Sequence, residues 1–139
     1  MRILALDWGT VRIGGAISDP EGKIAFALER FIEAKNAVSE IKKLVEENEV
    51  EKIIIGLPKA LSGNDTASTK SAEEFGNKLS ESLDINIVFI DERLSSVAAQ
   101  KTMSEQGLNQ KDMKGNLDNL VALQMLQSYL DNRLHKPGK

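Results

Sequence analysis

Residues 3–14 read ILALDWGTVRIG, and this stretch decides the fold. The run from Ile3 to Leu6 is continuously apolar, which is typical of a β-strand covered on both faces. It ends at Asp7, and Gly9 then permits a sharp backbone turn into a second strand, Arg12 to Ser18. An acid at the end of a buried strand is costly unless something compensates its charge. The stretch therefore predicts two strands joined by a tight turn, with a carboxylate where they meet.

The remaining sequence predicts further strands and then an alternation of helices and strands. A turn at residues 19–22 precedes a third predicted strand at 23–31, and short turns between strands make antiparallel neighbours. Apolar residues at helical spacing predict helices near 37–45 and 72–83. Each of these helices is followed by a short apolar run that predicts a buried strand, first at 53–55 and then at 87–90. Two further helices are predicted at about 95–107 and 116–130.

The order of elements is β-β-β-α-β-α-β-α-α, which indicates an α/β protein. It predicts a mixed five-stranded sheet, with a three-strand antiparallel meander followed by parallel strands and with helices on both faces. The order resembles that of the ribonuclease H-like fold, in which the first and fourth strands are parallel neighbours. The chain has 139 residues. This length predicts a single domain, residues 1–134, and the last residues, 135–139, read as a flexible tail.

Composition excludes several classes of protein. The chain has no cysteine, so neither disulfides nor a thiolate metal site are possible. No apolar run approaches the roughly 20 residues that span a bilayer, and no signal-peptide pattern is present. We therefore expect a cytoplasmic protein without membrane contacts. The net charge is −3, whereas proteins that bind polyanions usually carry a basic excess, so nucleic-acid binding would depend on local basic groups.

Three acids lie far apart in the sequence in settings that suit a shared divalent cation. Asp7 ends the first strand, Glu92 follows the apolar run at 87–90, and Asp118 lies in the last predicted helix. Divalent cations such as Mg²⁺ compensate buried carboxylates and support phosphate chemistry. Other interpretations stay open for each acid. Asp7 suits a hairpin turn, Glu92 could belong to a solvated charge cluster at a strand end, and Asp118 could be an ordinary first-turn aspartate favoured by the helix dipole.

Four further residues are candidates for contacts with phosphate groups. Thr10 and Arg12 follow the first acid in the same turn, and Arg93 follows Glu92. Lys114 is part of a small basic group before the last predicted helix. Each of these residues also suits a solvated surface, and Arg93 could instead pair with a neighbouring acid.

Together these segments resemble the YqgF family, also called the RuvX family, of Holliday-junction-resolvase-like proteins and pre-16S rRNA nucleases. The resemblance covers residues 2–130 and is carried by four motifs in order. They are residues 7–14 with 18–20, residues 56–58 with Gly63, residues 91–95, and a last group made of residues 114–115, Asp118, Ala122 and residues 126–130. One departure is Val121, which occupies the place of a fourth acid in the junction-resolving relatives.

The resemblance implies a ribonuclease H-like, metal-dependent nuclease that is linked to maturation of the 5′ end of 16S rRNA. Ligation by oxygen atoms alone favours Mg²⁺ or Mn²⁺ over zinc. By position, its catalytic and metal-binding acids would be Asp7, Glu92 and Asp118. In the mechanism expected from this set, Asp7 bridges two ions about 3.5–4 Å apart that serve the attacking water and the leaving oxygen. The expected partner is a nucleic acid, pre-rRNA rather than branched DNA, and the protein would be a monomer or a homodimer.

Three other functions are compatible with the sequence. The chain could be a Holliday-junction resolvase acting on DNA, which would need a symmetric dimer to cut two strands. It could be a non-catalytic RNA-binding or ribosome-assembly factor, as the acidic net charge and Val121 would allow. It could also be a nucleotide-binding domain, because the turn at residues 7–10 resembles the phosphate loop of actin-like ATPases. Those proteins, however, use two such domains around one cleft.

Overall fold

The computed structural model describes residues 2–9, 11–57, 66–91 and 110–134, except for the side chains of residues 91, 110–118 and 132–134. The described residues form six strands and three α-helices. The strands are β1 (Arg2–Asp7), β2 (Arg12–Ser18), β3 (Ala25–Ala27), β4 (Ile32–Glu33), β5 (Val50–Leu57) and β6 (Asn86–Asp91). The helices are α1 (Ala37–Asn48), α2 (Ala67–Ser82) and α3 (Gln110–Leu134), and a short 3-10 turn, Ala34–Asn36, leads into α1.

The strands form one mixed sheet in the order β3-β2-β1-β5-β6, with β4 also paired to β2. The central strand β1 is antiparallel to β2 and parallel to β5, and β5 is in turn parallel to β6. This arrangement confirms the predicted meander followed by parallel strands. It also brings the carboxyl ends of β1, β5 and β6 to the same edge of the sheet.

Helices cover both faces of the sheet, as predicted. Because side chains of a strand alternate between faces, one strand contributes to the core on each side. On one face Leu4 and Leu6 of β1 belong to a core with Ile41 of α1 and Leu79 of α2. On the other face a second core is built against α3. Its buried members are Ile3, Ala5, Ala16, Ala25, Ile54, Ala122, Met125, Leu126 and Leu130. The continuously apolar β1 is thus buried on both sides.

The prediction of one continuous third strand at residues 23–31 is wrong. This segment is divided into β3 and β4, which pair with separate parts of β2. At the break, the Leu28 amide still donates to the Gly15 carbonyl at 3.0 Å. The reciprocal bond would join the Gly15 amide to the Leu28 carbonyl. Both groups bind the Asn119 side chain instead, which accepts from the Gly15 amide at 2.9 Å and donates to the Leu28 carbonyl at 3.0 Å. A side chain from α3 therefore interrupts the ladder, which local sequence patterns do not reveal.

The last helix begins earlier than predicted, at Gln110 rather than near residue 116. Asp118 consequently lies more than two turns inside α3, which removes the interpretation of Asp118 as a first-turn aspartate. The helix predicted at 95–107 and the tail at 135–139 lie outside the described residues. No helix in the described part of the chain is both long and apolar enough to cross a membrane.

The predicted turn at residues 19–22 joins β2 to β3. The Gly22 amide donates to the Asp19 carbonyl at 3.0 Å, and Gly22 has a φ of 71°. The Asp19 carboxylate accepts from the amides of Lys23 at 2.7 Å and Ile24 at 3.0 Å. The Ile24 and Lys23 amides lower the pKa of the Asp19 carboxyl group below its usual value. The contribution of this carboxylate to stability is therefore lost only as the pH falls through that lowered pKa.

Candidate active site

Asp7 ends the central strand at the carboxyl edge of the sheet and is 7% exposed. It lies opposite Gly14 of β2 and Gly56 of β5. Both neighbours are glycines, so no side chain lies directly opposite Asp7 on the adjoining strands. The alternation of β1 assigns Asp7 to the face that α3 covers, because Ile3 and Ala5 lie in that core. A buried carboxylate at the end of a strand suits the binding of a hard cation.

Asn119 fixes α3 against β2 next to Asp7. It is 5% exposed, and its bond to Gly15 lies one residue from Gly14, which faces Asp7 across the β1–β2 pair. Eight residues later, Gln127 accepts from the Ala25 amide at 3.0 Å, near the opposite end of β2. The helix therefore runs away from the Asp7 edge, and the backbone of Asp118, which precedes Asn119, lies at that edge.

Asn119 was not identified from the sequence. A signal was present, because it lies three residues before the buried Ala122 on the same helical face. A polar residue on the packed face of a helix needs hydrogen-bond partners. Those partners could not be named without the tertiary structure, since Gly15 lies 104 residues away in the chain.

The edge also receives the end of β6, where Glu92 follows. The last pairs in the register are Gly56 with Ile90 and Leu57 with Asp91. Val88 and Ile90 pack on the α3 core. Glu92 itself lies outside the described residues, as do Arg93 and Thr10, and the side chains of Asp118 and Lys114 are not described.

Asp7 is thus the only predicted metal ligand whose side chain is described. Among the described side chains, no group of three or more histidine or acidic residues could hold a metal ion. The convergence of Asp7, Glu92 and Asp118 stays a prediction, as does their part in catalysis.

Arg12 lies at the same edge, at the start of β2. It is exposed, and it pairs with Glu33 of β4 across the sheet. Its guanidinium lies over the Phe31 ring, 5.3 Å from the ring centroid. Two residues of strand separate it from Gly14, the partner of Asp7, which corresponds to about 7 Å along β2. A contact between Arg12 and a phosphate group stays a prediction that this position allows.

Trp8 turns to the opposite face from Asp7, as the alternation requires. It is partly buried, as expected, and stacks on Phe75 of α2 with ring centroids 4.7 Å apart and an angle of 28° between planes. Trp8 therefore packs on the face of the sheet that α1 and α2 cover, whereas Asp7 points to the face that α3 covers. Val121 is 6% exposed and contributes to the core rather than to a charged site.

Gly9 is required by the turn between β1 and β2. A Cβ atom at this position would collide with the backbone carbonyl oxygen of Arg12. We expect Gly9→Ala to lower the free energy of unfolding by about 1–3 kcal/mol, because the turn backbone must shift to relieve the overlap. Urea unfolding measures the change, with Val11→Ala as the stability control because Val11 is 74% exposed in the same turn. Equal stability of the two variants would contradict the need for glycine.

Solved structures with this arrangement identify the class of fold. RuvC from Thermus thermophilus, determined in complex with a Holliday junction substrate, has a TM-score of 0.63 and 13% sequence identity, covering 98% of this chain and 97% of that protein. The fowlpox virus resolvase in complex with Holliday junction DNA has a TM-score of 0.54 and 13% identity, covering 96% and 99%. The chain therefore has the ribonuclease H-like fold, as the order of elements predicted.

Sequence comparison then defines the family. A profile of the RuvX family, described as Holliday junction resolvase, matches residues 1–132, and the chain belongs to this family. Curated relatives carry the name "Putative pre-16S rRNA nuclease". The relative from Corynebacterium jeikeium is 43% identical over 136 residues, covering 95% of this chain and 87% of the relative. The one from Ruminiclostridium cellulolyticum is 41% identical over 134 residues, covering 94% of each.

Proposed function

We propose that this chain is a metal-dependent nuclease that hydrolyses phosphodiester bonds during 5′-end processing of pre-16S rRNA. One observation carries the proposal: a buried carboxylate, Asp7, ends the central strand between two glycines at the sheet edge where β5, β6 and α3 also meet. The ribonuclease H-like fold supports the nuclease class, and the names of the curated relatives support the RNA substrate. Maturation of ribosomal RNA would place the protein in the cytoplasm.

The proposed acid set is Asp7, Glu92 and Asp118. Two features of the backbone support it. Val88 and Ile90 of β6 pack on the α3 core, which is on the same face of the sheet as Asp7, and Glu92 follows two residues after Ile90 in the sequence. The contact of Asn119 with Gly15 brings residue 118 of α3 to the same edge. Three carboxylates at one edge would repel one another unless a cation joined them.

The residues at this edge fit Mg²⁺ or Mn²⁺. Asp7 offers carboxylate oxygens, and the chain has no cysteine, so a hard, oxygen-preferring cation is favoured over zinc. Bound there, such ions would activate water and stabilise the leaving oxygen. Asp7, Glu92 and Asp118 would hold the ions.

The remaining proposed roles concern the substrate. The cationic side chains of Arg12, Arg93 and Lys114 would contact phosphates on either side of the scissile bond, together with the hydroxyl group of Thr10. Arginine suits this task because its planar fork donates two hydrogen bonds to one phosphate group.

A second candidate is resolution of Holliday junctions in DNA. The description of the family profile and the fold shared with resolvases favour it. Two strands of a junction must be cut symmetrically, so this activity requires a homodimer with two sites. A monomer with one site would suffice for trimming an RNA end.

The deciding experiment compares the two substrates side by side. A 16S precursor RNA and a four-way DNA junction are incubated with the purified chain in Mn²⁺, in Mg²⁺ and in EDTA. We expect cleavage of the precursor RNA in either metal and none in EDTA. Cleavage of the junction alone would transfer the assignment to the second candidate. Binding of RNA without cleavage under every condition would indicate a non-catalytic assembly factor.

A further inference from the structure

An exposed aromatic side chain lies at the same edge of the sheet as the candidate active site and belongs to neither hydrophobic core. Phe31 is 41% exposed. It directly precedes β4, in which Ile32 points into the core with 4% exposure. Alternation therefore turns Phe31 outward. Large exposed apolar side chains that cluster with others often mark binding surfaces.

Phe31 is part of a groove at the edge of the sheet. The groove has a volume of about 400 Å³ and is lined by Val11, Arg12, Phe31, Glu33, Ala34 and Lys35. Val11 is 74% exposed, so two of the four large hydrophobic side chains that are exposed in the described part of the chain lie here. The groove begins about two residues along β2 from the position opposite Asp7.

The groove is locally positive although the chain is acidic overall. Arg12 and Lys35 contribute two cationic groups, and Glu33 contributes one carboxylate, which pairs with Lys35 at 3.7 Å. The Arg12 guanidinium lies 5.3 Å from the centroid of the Phe31 ring. A cation over an aromatic ring, next to exposed apolar surface, matches the chemistry of an unpaired nucleotide, which offers a flat base and a negative phosphate.

Backbone pairing joins the segment of Arg12 to the strand that directly follows Phe31. Arg12 pairs with Glu33 in the β2–β4 ladder, and the Ala34 amide donates to the Val11 carbonyl at 2.9 Å. The backbone beside the groove is therefore already ordered before a ligand binds, which lowers the entropic penalty of binding.

We propose that Phe31 and Arg12 form a stacking site for one unpaired nucleobase next to the scissile phosphate. This inference rests on the proposed function and makes it more specific, because the substrate must then be single-stranded on the Arg12 side of the cut. Bases inside a duplex are stacked and paired, so they cannot reach the ring.

Direct binding measurements test the stacking site. Fluorescently labelled single-stranded RNA, single-stranded DNA of the same sequence and the matching duplex are titrated in EDTA, which prevents metal-dependent cleavage. We expect Phe31→Ala to weaken binding of the single strands about 5- to 150-fold, as for loss of one stacked base, and to leave duplex binding unchanged. Equal losses for RNA and DNA would support a site for the nucleobase itself, and a loss confined to RNA would support an RNA-specific site.

Two matched variants separate stacking from a general surface effect. Phe26→Ala removes another exposed phenylalanine, 55% exposed on β3 and away from the groove, and should bind within about twofold of the wild type. Phe31→Tyr keeps an aromatic ring and should also retain affinity. In addition, a 2-aminopurine base in the single strand should be quenched by the wild type and by Phe31→Tyr but not by Phe31→Ala.

The inference and the proposed function can fail separately. Equal affinities of Phe31→Ala and Phe26→Ala, or absence of single-strand binding by the wild type, would overturn the stacking site even if the wild type cleaves RNA in Mn²⁺. A Phe31-dependent quench in a protein that cleaves no substrate would uphold the stacking site and overturn the nuclease proposal.

Discussion

Replacing Asp7 with asparagine is expected to reduce metal-dependent cleavage by about a thousandfold or more. The variant keeps the size of the side chain but removes its charge, and with it the main attraction for a divalent cation. Metal ions contribute several kcal/mol of charge stabilisation in the transition state of such reactions, which corresponds to a loss of this size. The measurement is the initial rate of cleavage of precursor RNA in Mn²⁺.

Stability should change in the opposite direction from activity. Asp7 is 7% exposed, and burial of a charged group is costly. Asp7→Asn should therefore melt at the wild-type temperature or above it when metal is absent. The wild type should gain thermal stability on addition of Mn²⁺, because an ion that binds only the folded state stabilises it. The variant should gain much less.

Asp19→Asn is the matched control for Asp7→Asn. Asp19 lies in the turn at the other end of β2, and its carboxylate accepts backbone hydrogen bonds that a carboxamide oxygen can still accept. It should cleave at the wild-type rate. An Asp7→Asn variant that cuts as fast as Asp19→Asn would remove Asp7 from the mechanism and leave the proposed acid set without its central member.

The second large effect is expected on stability, at Asn119. Asn119→Leu keeps the branched shape of the side chain, although leucine is larger, and leaves the Gly15 amide and the Leu28 carbonyl without their present partner. Each buried polar group that loses its hydrogen bond costs about 1–3 kcal/mol. We therefore expect the free energy of unfolding to fall by about 2–5 kcal/mol in urea titrations. Asn119→Asp retains an acceptor for the Gly15 amide, but it places a buried carboxylate oxygen against the Leu28 carbonyl, so it should also be destabilising.

Gln127→Leu serves as the control for Asn119→Leu. Gln127 lies on the same helix and also bridges to backbone groups, with its Oε1 atom accepting from the Ala25 amide and its Nε2 atom donating to the Lys23 carbonyl. These contacts are more exposed, so water can replace the side chain, and the loss should stay within about 1 kcal/mol. If the two leucine variants lost similar free energies of unfolding, the hydrogen bonds of Asn119 would contribute no more to stability than those of Gln127.

The sheet and its two covering layers could be predicted because β1 encodes them locally. Ile3 to Leu6 is apolar at every position, so the strand had to be buried on both faces, and the turn at Gly9 made β2 its antiparallel partner. The later β-branched run at 53–55 is buried in β5. In each of these cases the information lies within one or two elements.

What could not be predicted depends on contacts between distant segments. The division of the third strand follows from Asn119, more than ninety residues beyond the Leu28 carbonyl that it binds. Phe31 fell inside that predicted strand, so its exposure beside Arg12 was missed, although the inward Ile32 beside it was a usable signal. For the site, Asp7 was identified from its position at a strand end, and its burial agrees with that. The roles of Glu92 and Asp118 rest on the family resemblance and stay predictions.

The bond between Gly15 and Asn119 also constrains when the protein can become active during its own synthesis. Its two ends are 104 positions apart, and a ribosome releases them in order from the amino terminus. A nascent chain that carries the Asp7 turn but not yet α3 lacks the cover of one entire sheet face. We expect such a chain to be unable to cleave RNA until α3 has been synthesised and has packed on the sheet.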